Sequence, residues 1–317
     1  MRDGYSSGNA EAMTDTPHID ARLVRRLLAS QFPQWAELPI VPAPVQGMDN
    51  ATFRLGSRLS VRLPRYRRWA RQVEREHRWL PRLAPHLPLT VSTPLAQGEP
   101  DHGYPFGWSV YRWLDGETFD PDGLTDPHAT ARVLAQFIAA LQDIDATGGP
   151  PPQWSNGFRG AAIDAPVDSI AAGDRVLPKL ETLAAMMDTA PLLAVWEAAL
   201  SAPPWDGPGV WLHGDLAPGN LLGRDRRLSA VIDFGTLAVG DPAIDISSLW
   251  MFRDPAARRI MRDVLDVDAA TWARARGWAL ASNLPTPQDP LFTDRPDRVD
   301  RSLVTLHDLV ADHRTSD

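Results

Sequence analysis

Residues 211 to 245 read WLHGDLAPGNLLGRDRRLSAVIDFGTLAVGDPAID, and three oxygen-bearing side chains stand out in this stretch: Asp215, Asn220 and Asp233. A short apolar run, Val210 to Leu212, turns at Gly214. A second run, Leu228 to Phe234, ends on Asp233-Phe234-Gly235, so two strand ends bring the three side chains to one edge. Asp233 and Asn220 offer the hard oxygen donors that suit magnesium. A further carboxylate can orient and deprotonate an attacking hydroxyl. Transfer of a phosphoryl group needs this set, because there the protein supplies positioning and charge neutralisation rather than covalent chemistry. Either fragment alone is common in proteins; their order and spacing, with Asn five residues after Asp, set them apart.

The elements that must hold these groups follow from apolar spacing. Leu23, Val24, Leu27, Leu28 and Phe32 recur at helical intervals, and Pro39 to Pro44 break the pattern. Thr52-Leu55 and Leu59-Leu63 flank Gly56-Ser57 and predict a hairpin. A charged helix is expected from Tyr66 to Leu83, a strand near Trp108 to Leu114, and a helix over Ala129 to Ile144. The remainder reads as helical apart from the strand insert within 211–234. Pro150 to Pro152 and Pro203 to Pro208 are loops.

With 317 residues, 44% of them hydrophobic, the chain has enough core for two lobes that close on a cleft. It contains no cysteine, so neither disulfides nor thiolate metal sites enter, and a cytoplasmic location is expected. The polar opening residues lack an apolar signal region, and no run approaches the length of a membrane span. Residues 1–16 are expected to form a disordered leader. The net charge is −8 and Lys179 is the only lysine, so a nucleic-acid partner is disfavoured for want of a basic face. His86, His102 and His128 are scattered without metal-ligand spacing, which argues against a metal-dependent hydrolase.

His213-Gly214-Asp215 with Asn220, followed by Asp233-Phe234-Gly235, resembles the catalytic loop and magnesium motif of the aminoglycoside phosphotransferase family, small-molecule kinases related to protein kinases. The following Gly240-Asp241-Pro242-Ala243-Ile244-Asp245 is similar to an addition of that family, and the likeness spans about Asp20 to Trp278. It implies an α+β, protein-kinase-like fold of two lobes. A small N-terminal lobe with an antiparallel sheet (17–114) would bind nucleotide, and a larger, mostly helical C-terminal lobe (115–317) would hold catalysis and substrate.

The same resemblance implies the roles. Asp215 would be the base, Asn220 and Asp233 the magnesium ligands, His213 structural, and Asp245 a brace for the loop, with Asp241 supporting. Gln46 to Asn50, including Gly47 and Asn50, would cover the phosphates of ATP or GTP. No glycine-rich G-x-G-x-x-G is present there. Arg62 would bind phosphate where protein kinases keep lysine, a guanidinium being able to do so bidentately. Glu76 would be its partner, in competition with Glu74. Arg112 (carbonyl) and Leu114 (amide) would contact the base at an interlobe hinge, with Tyr111 behind it.

The implied activity is transfer of a γ-phosphate to a hydroxyl of an aminoglycoside-like antibiotic. Alternatives are a metabolic kinase for a sugar, amino alcohol or macrolide, or a catalytically silent nucleotide-binding module, against which the presence of Asp215, Asn220 and Asp233 together argues. A cationic acceptor is expected from the acid excess over 143–200, where Asp143, Asp145, Asp164, Asp168, Asp174, Glu181, Asp188 and Glu197 face only Arg159, Arg175 and Lys179.

Overall fold

The computed structural model describes residues 17–47, 49–165, 173–285 and 296–316; the leader expected at 1–16 lies outside them. The chain folds as two compact units. Of the described residues, one unit comprises those up to Pro85, Thr90–Gly116 and Ala230–Gly235, and the other comprises His86–Leu89 and those in Glu117–Ser229 and from Thr236 onward.

The first unit opens with helix α1 (Ala21–Gln31), which starts where the Asp20 carboxylate accepts the Leu23 amide at 2.8 Å. Satisfying one orphan amide in this way is worth about 1 kcal/mol. Leu23, Val24, Leu27 and Leu28 form its buried stripe. That stripe packs on the inner face of an antiparallel sheet built from β1 (Ile40–Pro42), β2 (Asn50–Leu55), β3 (Leu59–Pro64), β5 (Pro94–Gly98) and β6 (Trp108–Arg112), in the order β1-β2-β3-β6-β5. The short β4 (Thr90–Val91) stands outside this sheet. The β2–β3 hairpin closes through Gly56, whose φ of 59° falls in the left-handed region that a tight turn uses. The strand expected to reach Leu114 leaves the sheet at Arg112.

Helix α2 (Arg67–Leu83) buries Gln72, Val73, Arg75, Glu76, Trp79, Leu80 and Leu83 at helical spacing. Three polar side chains on that face, Gln72, Arg75 and Glu76, must find partners there, because leaving a buried polar group unpaired costs about 1–3 kcal/mol.

The second unit carries β7 (Glu117–Thr118), α3 (Pro127–Gln142), α4 (Gly173–Leu183), α5 (Ala190–Ser201), β8 (Val210–Leu212) and β9 (Leu221–Arg224), and it begins β10 (Arg227–Val231). After β10 come β11 (Ala238–Gly240), α6 (Ala243–Ile246), α7 (Pro255–Val264), α8 (Ala269–Asn283) and α9 (Pro296–Ser316). Asp126 caps α3 by accepting the Ala129 amide at 2.9 Å, and Pro127 takes the first helical position, where its missing N–H costs nothing.

Two strand pairings position the motifs. β8 pairs antiparallel with β11, Leu212 opposite Ala238, and so fixes the point where the chain turns into His213. The last residues of β10, Ala230 and Val231, belong to the first unit and pair in parallel with β4. Asp233 follows two residues later. Gly240 is required by a close crossing: a Cβ there would stand 2.3 Å from the Gly160 carbonyl oxygen.

Candidate active site

In the second unit the turn after β8 is held from beneath by Asp245. This carboxylate is fully buried; it accepts the His213 amide at 2.7 Å and the Gly214 amide at 2.8 Å. Burial raises its pKa, opposed by the nearby His213 and by the two amide bonds. Thr236 Oγ1 donates to the His213 carbonyl at 2.9 Å. Gly214 has φ 81°, and a Cβ there would stand 2.9 Å from both the Thr236 carbonyl oxygen and Arg159 Cβ. His213 is itself buried, and its Nδ1 accepts the Asp215 amide at 3.2 Å, so in the neutral ring the proton sits on Nε2.

The brace leaves the Asp215 side chain 48% exposed at the tip of the turn. Asn220 Nδ2 donates to Asp215 Oδ2 at 3.0 Å and to the Asp215 carbonyl at 2.9 Å. Arg159 Nη2 lies 3.8 Å from Asp215 Oδ1. An exposed carboxylate with one oxygen fixed by an amide can accept a hydrogen bond from a bound hydroxyl.

Asp241 has a different task from its neighbours. Its carboxylate is buried and meets Arg274 at 2.8 Å (Nε to Oδ2) and 3.3 Å (Nη2 to Oδ1), and Oδ1 also accepts the Ala243 amide at 3.0 Å. Arg274 further donates to Thr271 Oγ1 at 3.0 Å and to the Pro203 carbonyl. This bidentate pair ties the exit of β11 to α8. Arg274 thus sits as a buried cation on a mostly buried helix face.

The first unit holds a second cluster. Arg62 on β3 contacts Asp233 Oδ1 at 2.8 Å through Nη2 and Glu76 Oε1 at 3.6 Å through Nη1. Burial works against the Arg62 charge, but Asp233 and then Glu76 outweigh it and hold the guanidinium above its ordinary pKa. Burial raises the pKa of Glu76, a shift that Arg62 opposes. Tyr111 on β6 donates its hydroxyl to Glu76 Oε2 and lies under the Arg62 guanidinium, 5.5 Å from ring centre to Cζ. Glu74 is exposed on the same helix.

The metal-motif segment is gripped from the same face of α2. Arg75 donates to the Gly235 carbonyl, and burial pushes its pKa down to about 10. A Cβ at Gly235 would stand 2.5 Å from the Gln72 carboxamide carbon. Asp233 has φ 65°, a left-handed conformation that non-glycine residues adopt mainly where the surroundings enforce it.

Of the residues expected over the phosphates, Gly47 is exposed, while Asn50 is buried with its Nδ2 on Gln72 Oε1 at 3.1 Å. The Asn50 side chain therefore turns inward, toward Gln72 on the buried face of α2. Gln46 pins the turn instead: its Oε1 accepts the Thr52 amide at 3.1 Å, and its Nε2 donates to the Ala43 and Thr52 carbonyls at 3.0 and 2.8 Å. Met48 lies outside the described residues. Arg112 remains in the sheet, with its amide on the Thr93 carbonyl at 2.9 Å, and Leu114 follows two residues after β6 ends.

Part of the acid excess is spent locally. Asp145 accepts the Thr147 amide and hydroxyl, and Asp188 accepts the Ala190 amide. Asp143, Asp164, Glu181 and Glu197 are exposed, whereas Asp168 and the side chain of Asp174 lie outside what is described. Among the described residues no group of three or more His, Asp or Glu side chains could hold a metal ion unaided. Asp233 in the first unit offers a carboxylate and Asn220 in the second an amide oxygen, each a hard donor of the type that suits magnesium.

An antiparallel-sheet unit carrying an Arg–Glu–Asp cluster, and a mainly helical unit carrying an exposed aspartate on a braced turn, together define the protein-kinase-like α+β fold class. Residues 41–278 match the phosphotransferase enzyme family, and the chain belongs to that family. Among solved structures it is similar to wild-type aminoglycoside 2'-phosphotransferase-IIIa in its GDP complex, at 18% identity and a TM-score of 0.66 over 93% of this chain and 100% of that one. It is also similar to a streptomycin-ATP-APH(2")-IIa ternary complex (18% identity, TM-score 0.54, 90% and 97% covered). A third likeness is to the apoenzyme of macrolide 2'-phosphotransferase MphH from Brachybacterium faecium (25% identity, TM-score 0.53, 90% and 97% covered). No curated protein matches the chain.

Proposed function

We propose that this protein moves the γ-phosphate of ATP or GTP to a hydroxyl of a small molecule, with an aminoglycoside-like antibiotic as the favoured acceptor. The observation that carries the proposal is the exposed Asp215 carboxylate, set on a turn that buried Asp245 braces and fixed by Asn220 at 3.0 Å. Asp215 takes the acceptor's hydroxyl proton as the new O–P bond forms, and the electron pair of the broken β,γ-bridging bond leaves on the nucleoside diphosphate. Asn220 and Asp233 would hold magnesium, which when bound neutralises charge on the triphosphate. Arg62 binds phosphate and is oriented by Glu76; the Arg112 carbonyl and Leu114 amide meet the base. Membership of the phosphotransferase family supports this reading, as do relatives solved with GDP and with ATP and streptomycin.

A macrolide or metabolic kinase is the second reading. Within it Arg159 favours a neutral sugar: a cation 3.8 Å from the Asp215 carboxylate disfavours an ammonium beside the reacting hydroxyl. No described helix is long and apolar enough to cross a membrane, and we assign the activity to the cytoplasm, where nucleoside triphosphates are available. The test is γ-phosphate consumption with magnesium and ATP or GTP against a panel of aminoglycosides, macrolides, sugars and amino alcohols. Turnover with a polyamine acceptor supports the first reading, and turnover confined to the others supports the second. Nucleotide binding without turnover on any acceptor would leave a silent binding module.

A further inference from the structure

We propose that Arg159 is a second catalytic residue, supplying to the transferring phosphoryl group the positive charge that the loop around Asp215 lacks. The inference rests on the phosphotransferase reading above. From His213 to Gly223 the chain has no lysine or arginine, so the catalytic turn brings no cation of its own. Phosphoryl transfer spreads negative charge over the three equatorial oxygens, and a guanidinium in reach of them lowers the barrier. Arg159 lies beside the base although it is 56 positions away in sequence, its Nη2 3.8 Å from Asp215 Oδ1.

The local structure holds it there. Gly157, Phe158 and Gly160 all have left-handed backbones, with φ of 65°, 55° and 79°. For Phe158 that conformation is costly, on the order of 1–3 kcal/mol, and it persists only where the surroundings enforce it. Buried Asn156 fastens the start of this turn: its Oδ1 accepts the Gln153 amide at 2.8 Å and its Nδ2 donates to the Pro151 carbonyl at 2.9 Å. Gly214 completes the seat, since a Cβ there would lie 2.9 and 3.0 Å from Arg159 Cβ and Cγ. The stem of Arg159 thus packs on the catalytic turn.

An ion pair at 3.8 Å between side chains 30% and 48% exposed is worth only about 0–1 kcal/mol, too little to account for a strained turn. The separation also exceeds a hydrogen bond, so the guanidinium keeps donors free for another anion, and its buried Nε has no hydrogen-bond partner. A hydroxyl hydrogen-bonded to Asp215 sits about 2.7 Å from it. The phosphoryl oxygens of an in-line attack then fall within range of the Arg159 fork.

The experiment is steady-state hydrolysis of magnesium-ATP and magnesium-GTP with water as the acceptor, for wild type, Arg159→Ala, Arg159→Gln and Arg159→Lys. In the step followed, the water oxygen bonds to the γ-phosphorus, its proton passes to Asp215, and the bridging bond breaks toward the diphosphate. The expected result is a fall in kcat of about 100-fold or more for Ala and Gln, with nucleotide KM within about threefold of wild type. Lys should recover part of the loss, and added guanidinium should recover part of it in Arg159→Ala. Should the Ala variant not fold, Gln and Lys are read in the same way. A kcat within threefold of wild type in Arg159→Gln overturns the proposal. So does a loss confined to KM, or one that neither Lys nor guanidinium restores. Wild-type protein that turns over no nucleotide under any acceptor would remove the phosphotransferase reading, and this assignment with it.

Discussion

Replacing Asp245 by Asn isolates the brace beneath the turn that carries Asp215. Each Asp245 oxygen accepts one amide, His213 at 2.7 Å and Gly214 at 2.8 Å, and the side chain is fully buried. Asn keeps the shape but offers one oxygen and one NH2, which must point a donor at one of the two amides. A lost charge-assisted bond is worth about 1.5–3 kcal/mol, and a stranded buried amide costs about 1–3 kcal/mol. Removing a buried charge offsets part of this, since burial already disfavours the ionised form, as the raised pKa shows. The net expectation is a loss of about 2–4 kcal/mol, or roughly 5–10 °C in Tm. The pH dependence has a definite sign. The folded pKa of Asp245 lies above its unfolded value, so this group adds stability in acid and loses that contribution as pH rises through the folded pKa. Asn does not titrate, so wild type and variant should differ most at acid pH and less toward neutrality. Thermal unfolding followed by circular dichroism at several pH values, with turnover measured in parallel, gives the comparison. Wild-type Tm and wild-type turnover in Asp245→Asn would refute the brace.

Asp215→Asn should lower turnover by about 100-fold or more while nucleotide affinity stays near wild type, as measured by kinetics and calorimetry. Glu76→Ala should raise the nucleotide KM or lower kcat, whereas Glu74→Ala should do little, because only Glu76 meets Arg62 and Tyr111; the reverse order would assign the partner role to Glu74. Asp233→Ala should remove magnesium-dependent nucleotide binding more completely than Asn220→Ala, a carboxylate adding charge to its oxygen; equal, wild-type binding by both would contradict the ligand assignment. Arg274→Ala strands the buried Asp241 carboxylate and should cost about 3–5 kcal/mol, visible as a lower urea midpoint.

What the sequence disclosed depended on how far apart the interacting residues lie. The α1 stripe, the β2–β3 hairpin and α3 emerge from local periodicity, because each buries one face against whatever is adjacent. The Asp215, Asn220 and Asp233 set stands out because a strand-turn-strand segment keeps it within 19 positions. Arg159 and Arg274 sit in tracts that have no such local mark. Their partners are fixed only when Gly160 crosses Gly240 and β11 meets α8, and nothing in the spacing of one chain encodes those meetings. For Asn50 the family resemblance implies a phosphate, whereas its partner in the structure, Gln72 on the buried face of α2, lies 22 positions away where no spacing marks it. The expected Arg62–Glu76 pairing omitted Asp233, which stands closer to the guanidinium at 2.8 Å than Glu76 does at 3.6 Å.

The return of Ala230–Gly235 to the first unit has a consequence for how the protein is made. Strand β4 gains its parallel partner, and Arg62 its nearer carboxylate, only from residues far downstream. On the ribosome the five-stranded sheet can form once β6 has emerged, but its cluster must then wait for the whole stretch from Glu117 to Gly235. At ~5–20 residues per second that wait is on the order of ten seconds. Through it, Glu76 and Tyr111 face Arg62 without Asp233, and neither β4 nor the Arg75 guanidinium has its final backbone partner. Cutting the chain at Gly116 would make that intermediate permanent. A fragment ending there is therefore expected to keep the α1 core yet to unfold at lower denaturant than a fragment supplied in trans with residues 227–235, the test being urea titration of the two samples side by side.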